Sequence, residues 1–210
     1  MGLLNFIQSA NKIYHRLVSQ GVAKNLRPVG NSCVSGATLE GNIAGLRKLK
    51  AAGIDTIVDF RSEASSIFGQ TCKTEGFDYM LFPIGHTRSG LSGKSVSIEN
   101  IISDEYVEQL KKFIETVNEK NVYMGCHYGI DRTNLGLVLN YLLNPKAAPP
   151  KIVTWGDFRT KSVINRTLKK ARKIIKKMTP EQRQKLGLDE NYNELFQQKI
   201  NSLLALNLYT

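Results

Sequence analysis

The stretch Tyr123-Met124-Gly125-Cys126-His127-Tyr128-Gly129-Ile130-Asp131-Arg132-Thr133 constrains this chain more than any other. It reads as the end of a strand, a glycine-containing loop and the start of a helix. Cys126 and Arg132 bracket five residues, a C-x5-R spacing, and Thr133 follows at once. A loop of this size at a helix N-terminus aims several backbone N–H groups inward, where they can surround a phosphate dianion. Arg132 adds a planar fork for two phosphate oxygens. The same positive field favours Cys126 as a thiolate. The pattern therefore describes a sulfur nucleophile facing phosphorus. With the loop glycine and a hydroxyl residue after the arginine, it arises by chance in roughly 0.1–0.2% of such chains. That figure sets aside an incidental buried cysteine.

The remaining composition bounds the setting. A chain of 210 residues, 41% apolar and 22% charged, can bury one full core. It has no run of eighteen apolar residues for a membrane span and no leader in signal-peptide order. Phe6 stands where a myristoylation signal needs Ser or Thr. Three cysteines, an odd number widely spaced, argue against a disulfide framework and for a reducing, cytoplasmic compartment, with secretion into a host cell left open. Cys33 and Cys72 read as packed thiols, the alternative being that one of them traps oxidised Cys126 as a reversible disulfide. No spacing suggests a metal site. The net charge of +11 points to anionic partners: phosphoproteins, inositol phosphates or an anionic membrane surface. No nucleic-acid motif accompanies it.

Periodicity and punctuation predict an α/β fold with a mainly parallel central sheet of four or five strands flanked by helices. The loop lies between a central strand and the following helix. An amphipathic helix over 3–18 occupies an N-terminal segment 1–24, a core spans 25–148, and a helical extension, 149–210, packs on it. Within the core the expectations are an edge strand around Cys33-Val34-Ser35, a helix from Leu39 to Ala52 capped by Thr38, and strands over Ile54–Phe60, Asp78–Ile84 and Asn121–Gly125. Helices follow from the Ser103 cap to Glu119 and from Thr133 to Leu143. The Gly/Ser-rich stretch 85–103 reads as a long functional loop. Helix 165–178 alternates apolar residues with lysine and arginine, either a solvated face or an attractor of acidic lipid or acidic protein. Two further helices start near Thr179-Pro180 and Tyr192.

The loop resembles the signature of the cysteine-dependent protein tyrosine and dual-specificity phosphatases. Its C-x-x-G-x-D-R-T form is most similar to the bacterial tyrosine/lipid phosphatase branch. The resemblance extends to Gly53-Ile54-Asp55-Thr56-Ile57-Val58-Asp59-Phe60-Arg61-Ser62-Glu63, similar to that family's "GI…VIDLRSE" strand, and covers roughly Leu26 to Leu143. The chain departs from the family in carrying Gly125 before the cysteine, where His is usual, with His127 after it.

Phosphoryl transfer needs an in-line nucleophile, stabilised equatorial oxygens and a proton for the leaving group. Cys126 fits the first role. The amides of His127, Tyr128, Gly129, Ile130, Asp131 and Arg132, with the Arg132 guanidinium, fit the second. Thr133 can donate its hydroxyl to the sulfur, and Gly129 supplies the torsions of a tight loop. The resemblance implies Asp131 as proton donor; Asp104 and His86, on the flap side, are the alternatives. Arg61, just past a strand end, reads either as a substrate or loop contact or as a structural ion pair. No cofactor and no metal are expected. The substrate reading is phosphotyrosine, with dual specificity included. Phosphoinositide or inositol phosphate is the alternative, although Tyr128 and Ile130 stand where lipid-active relatives carry lysine. A phosphate-binding protein without turnover is the second alternative.

Overall fold

Alternation along two short strands fixes the layers. The computed structural model describes residues 2–30, 33–84, 102–154, 160–188 and 192–208. Its elements run α1 (Gly2–Ser19), β1 (Arg27–Val29), β2 (Cys33–Ala37), α2 (Ile43–Ala51), β3 (Thr56–Asp59), α3 (Ser66–Thr74), β4 (Asp78–Leu81), α4 (Asp104–Glu119), β5 (Val122–Cys126), α5 (Asp131–Leu143), α6 (Thr160–Lys177), α7 (Pro180–Lys185) and α8 (Tyr192–Leu208). In β5, Val122, Met124 and Cys126 face one core and Tyr123 the other; in β3, Val58 and Ile57 divide the same way. Strands buried on both faces belong to a parallel sheet covered by helices on each side. The sheet order is β1-β2-β5-β3-β4. Only β1, paired with β2, runs antiparallel among these strands.

One core gathers side chains of α4, α5, α6 and α8. The other holds Leu17 of α1 with residues of α2 and α3. Thus the predicted mainly parallel sheet with flanking helices is what the chain forms, and β5 is its middle strand. On this side of the sheet the edge strand is β1, whose Pro28 has no N–H to give to a further neighbour; the Cys33–Ser35 run is interior, and β4 forms the opposite edge. The second helix starts at Ile43 rather than Leu39. Asn42 is its cap, accepting from the Gly45 N–H at 2.8 Å, while Thr38 Oγ1 accepts from the Glu40 N–H in a separate turn. Helix α3 carried too short an apolar pattern to be foreseen; Ser65 caps it and Phe68 and Cys72 anchor it.

A cluster of rings seats the helix behind the loop. Phe60, just past β3, meets Phe113 of α4 edge-on at 5.6 Å, and Phe82 stacks on Phe113 at 5.1 Å. A Cβ at Gly136 would lie 2.5 Å from the Phe60 ring, so glycine lets α5 sit directly on that cluster.

Cys33 and Cys72 are both buried thiols. Ala37 lies opposite Cys126, and Cys33 is four residues back along β2, about 13 Å at 3.3 Å per residue. A disulfide needs Cα atoms within about 7 Å. Cys72 sits in the core on the opposite face of the sheet from Cys126, and burial pushes its thiol up to about 12. The trapping alternative therefore has no partner among the described residues.

Candidate active site

Cys126 is the last residue of β5 and is 3% exposed. Its carbonyl accepts from the Thr38 N–H at 2.7 Å and the preceding Gly125 carbonyl from the Phe60 N–H at 2.8 Å. The strand end is thus tied to both neighbours before the chain turns.

The loop turns through Gly129, with φ of +71°, pressed on β2. A Cβ there would stand 2.3 Å from the Gly36 carbonyl carbon and 2.5 Å from the Ala37 nitrogen. Only glycine satisfies both the torsion and the approach. On its outer side the loop is clamped from the segment before β2. Asn25, itself at φ of +54°, donates Nδ2–H to the Tyr128 carbonyl at 2.8 Å. Arg27 donates Nη1–H to the Gly129 carbonyl at 2.7 Å. A trans peptide points its C=O and N–H oppositely. Tying those two carbonyls outward therefore turns the Gly129 and Ile130 N–H groups inward, as an anion cradle needs.

Arg132 sits in the first turn of α5, 7% exposed. Glu63 holds it fork to fork, each Nη donating to a carboxylate oxygen at 2.6 Å. That pairing leaves Nε–H and further Nη–H donors for a ligand. Thr133 Oγ1 is fully buried with no hydrogen-bond partner among the described residues, an orphaned donor beside the loop.

The other candidates are dispersed. Asp131 is exposed at the N-terminus of α5, with Lys170 of α6 within electrostatic reach. Asp104 opens α4 and accepts from Gln182 Nε2 at 2.8 Å, joining α4 to α7. His86 lies outside the described residues. Arg61 is 2% exposed, and its donors go to Asp59, at 2.9 and 2.6 Å, and to Glu40. That is the environment of the ion-pair reading. His127 and Tyr128 are exposed at the rim, rings edge-on at 4.4 Å.

Sequence reasoning missed Arg27, Asn25 and the grip of Glu63 on Arg132. Asn25-Leu26-Arg27-Pro28 has no spacing to mark it. Glu63 follows a strand end, a position that suggests a ligand contact but not a specific partner.

The fold is shared with a solved structure named as a candidate phosphatase, and in this chain the C-x5-R loop stands at the end of the middle strand. Among solved structures, a DUF442 protein from Shewanella putrefaciens CN-32, named as a candidate phosphatase, superposes at a TM-score of 0.52 and 16% identity, over 78% of this chain and 96% of that one. The core catalytic domain of the PP-IP phosphatase SIW14 from S. cerevisiae gives a TM-score of 0.42 at 15% identity, over 86% and 95% of the two chains. Tk-PTP gives 0.40 at 13%, over 79% and 92%. No family model and no curated protein sequence matches the chain.

Proposed function

We propose that this chain is a phosphomonoester hydrolase working through a cysteinyl-phosphate intermediate, with phosphotyrosine proteins, or both phosphotyrosine and phosphoserine/threonine proteins, as its substrate class. The observation that carries the reading is the clamped loop above a buried Cys126, its Tyr128 and Gly129 carbonyls tied outward. In the first step the Cys126 thiolate forms an S–P bond as the ester P–O bond breaks. Inward amides and the Glu63-oriented Arg132 balance charge on the equatorial oxygens. Asp131 gives its proton to the departing oxygen. In the second step water gives a proton to the Asp131 carboxylate as it attacks phosphorus, the S–P bond breaks, and inorganic phosphate leaves. Thr133, with its unpartnered hydroxyl, donates to the sulfur as its charge returns. Every charge needed comes from protein groups, so activity is expected to survive a chelator.

The rim favours an aryl ester. Tyr128 is 55% exposed and stands with His127 where an aromatic leaving group would lie. Phosphorylated inositol is the second reading, favoured by α6. That helix carries eight Lys and Arg and no acidic residue, and its Lys170 faces Asp131. The same face, over 165–178, suits an anionic membrane surface or an acidic protein.

The test is a burst of aryl phosphate hydrolysis, followed by a panel of phosphotyrosine peptides and soluble inositide head groups. Cys126→Ser is expected to abolish burst and turnover together. Hydrolysis that persists in Cys126→Ser would reject the mechanism, and neither burst nor turnover in the parent chain would leave a phosphate-binding protein. Faster turnover of the head groups would move the substrate class to inositides.

A further inference from the structure

Among the described residues, Arg27 is a buried cation without a carboxylate partner. Its side chain is 3% exposed. Its hydrogen-bond acceptors are all neutral: the Asn25 carbonyl at 3.2 Å, the Gly129 carbonyl at 2.7 Å and Asn134 Oδ1 at 2.9 Å. Its Nε–H, also buried, has no partner among the described residues. A buried charge is costly unless an opposite charge answers it. The acids within electrostatic reach of this guanidinium are Cys126 and Tyr123. Tyr123 is a poor candidate for that charge. Its hydroxyl donates to the Ala37 carbonyl at 2.5 Å, and burial pushes the phenol well above its ordinary range. Among the described residues one group remains, the sulfur of Cys126.

We infer that Arg27 is the buried counter-charge of the Cys126 thiolate and, through the Gly129 carbonyl, the positioning residue that holds the phosphate loop open. The inference rests on the proposed phosphatase reading and adds to it a cation from outside the loop. Other charges near the site are already engaged. Arg132 of α5 is held by Glu63, and Arg61 by Asp59 and Glu40. His127 of the loop lies within reach of Glu40, and Asp131 faces Lys170 of α6, with Arg166 nearby. Burial brings Arg27 down to about 10, with Cys126 and Tyr123 opposing, so it remains a cation at neutral pH. Asn134 extends the arrangement. While accepting from Arg27, it also donates to the Val153 carbonyl at 2.7 Å and accepts from the Val153 N–H at 3.3 Å. The link after α5 thereby braces the guanidinium. In the chemistry, Arg27 favours sulfur as an anion twice: at rest, and when water displaces it from phosphorus.

The test is iodoacetamide alkylation of Cys126, read by mass spectrometry as the ratio of the rate at pH 7 to the rate at pH 10. Cys126→Ser serves as the blank for Cys33 and Cys72. The ratio in the parent chain is expected to exceed that of a free thiol, which keeps only a few per cent of its rate. Arg27→Gln should lower the ratio at least about tenfold, since an opposite charge at close range is worth about 1–3 pH units. Arg27→Lys should restore most of the ratio while kcat stays low, because it keeps the charge and loses the fork. A ratio unchanged in Arg27→Gln, or a parent ratio equal to that of a free thiol, would overturn the assignment. Thermal melts check that the variants fold. If Arg27→Gln does not melt cooperatively, Arg132→Met decides: a small drop supports Arg27, and a fall to the free-thiol ratio gives the charge to Arg132. Loss of phosphatase activity in the parent chain with these ratios intact would reject the proposed function and leave the Arg27–Cys126 pair standing.

Discussion

At the scale of single residues, the site is made of side chains whose freedom has been removed. Gly129 is the clearest, since its torsion and its approach to Gly36 both exclude a side chain. Gly129→Ala is expected to cost about 2–4 kcal/mol from backbone strain and overlap, seen as a lowered urea midpoint, and to lower kcat at least about hundredfold. Glu63 makes the opposite case. It is 47% exposed, so its loss should barely move the melting temperature. It aims Arg132, however, and Glu63→Ala should lower kcat about 10–100-fold through misplacement of the guanidinium. A matched fall in stability and activity would make the pair merely structural. Asp131→Asn is expected to remove most of kcat and to flatten the alkaline limb of the pH–rate profile. An unaltered limb would transfer the proton donor to Asp104 or His86.

At the scale of elements, α5 is held at both ends. Its N-terminus carries the loop, and its C-terminus is capped from α8. Lys199 donates Nζ–H to the Tyr141 and Asn144 carbonyls, each at 2.6 Å, and its ammonium lies over the Tyr141 ring at 4.8 Å. These are the carbonyls a helix end leaves without partners. Burial lowers Lys199 to about 8, from 10.5. Between those values the unfolded chain binds more protons than the folded one, so this residue makes stability rise with pH across that window. Lys199→Met should remove that part of the slope when melts are compared from pH 7.5 to 10. An identical slope in both proteins would place the ammonium in water.

At the scale of the whole molecule, the C-terminal helices belong to the core that seats α5. Val163, Ile164, Leu168, Ala171, Ile174 and Ile175 of α6, Met178 just after it, and Ile200 and Leu203 of α8 are buried in the same cluster as Leu135, Val138 and Leu139 of α5. At roughly 1.5–3 kcal/mol per large buried side chain, their removal matches or exceeds the roughly 5–15 kcal/mol that holds a typical domain together. A chain ended after Pro150 is therefore expected to show no cooperative unfolding transition. A truncated protein that melts sharply and still hydrolyses aryl phosphate would make the extension a separable addition. Among the described residues, no helix is long and apolar enough to cross a membrane.

The amino-acid order alone determined the parts whose information is local. The C-x5-R spacing, the torsion demanded at Gly129, the Ser103 cap and the alternation that buries both faces of β3 and β5 all follow from neighbouring residues, through rules of period and turn chemistry. Their consequence, a parallel sheet with the loop at its middle strand, follows with them. Only the tertiary structure decided which distant charges meet. Arg27 reaches Gly129 and Asn134 across more than a hundred residues of chain. Glu63 takes Arg132, Arg61 is spent on Asp59 and Glu40, and Lys170 comes to face Asp131. Periodicity tells which face of an element is buried, but it carries no record of which side chain on another element will answer a given charge. That choice is made by sheet order and helix packing.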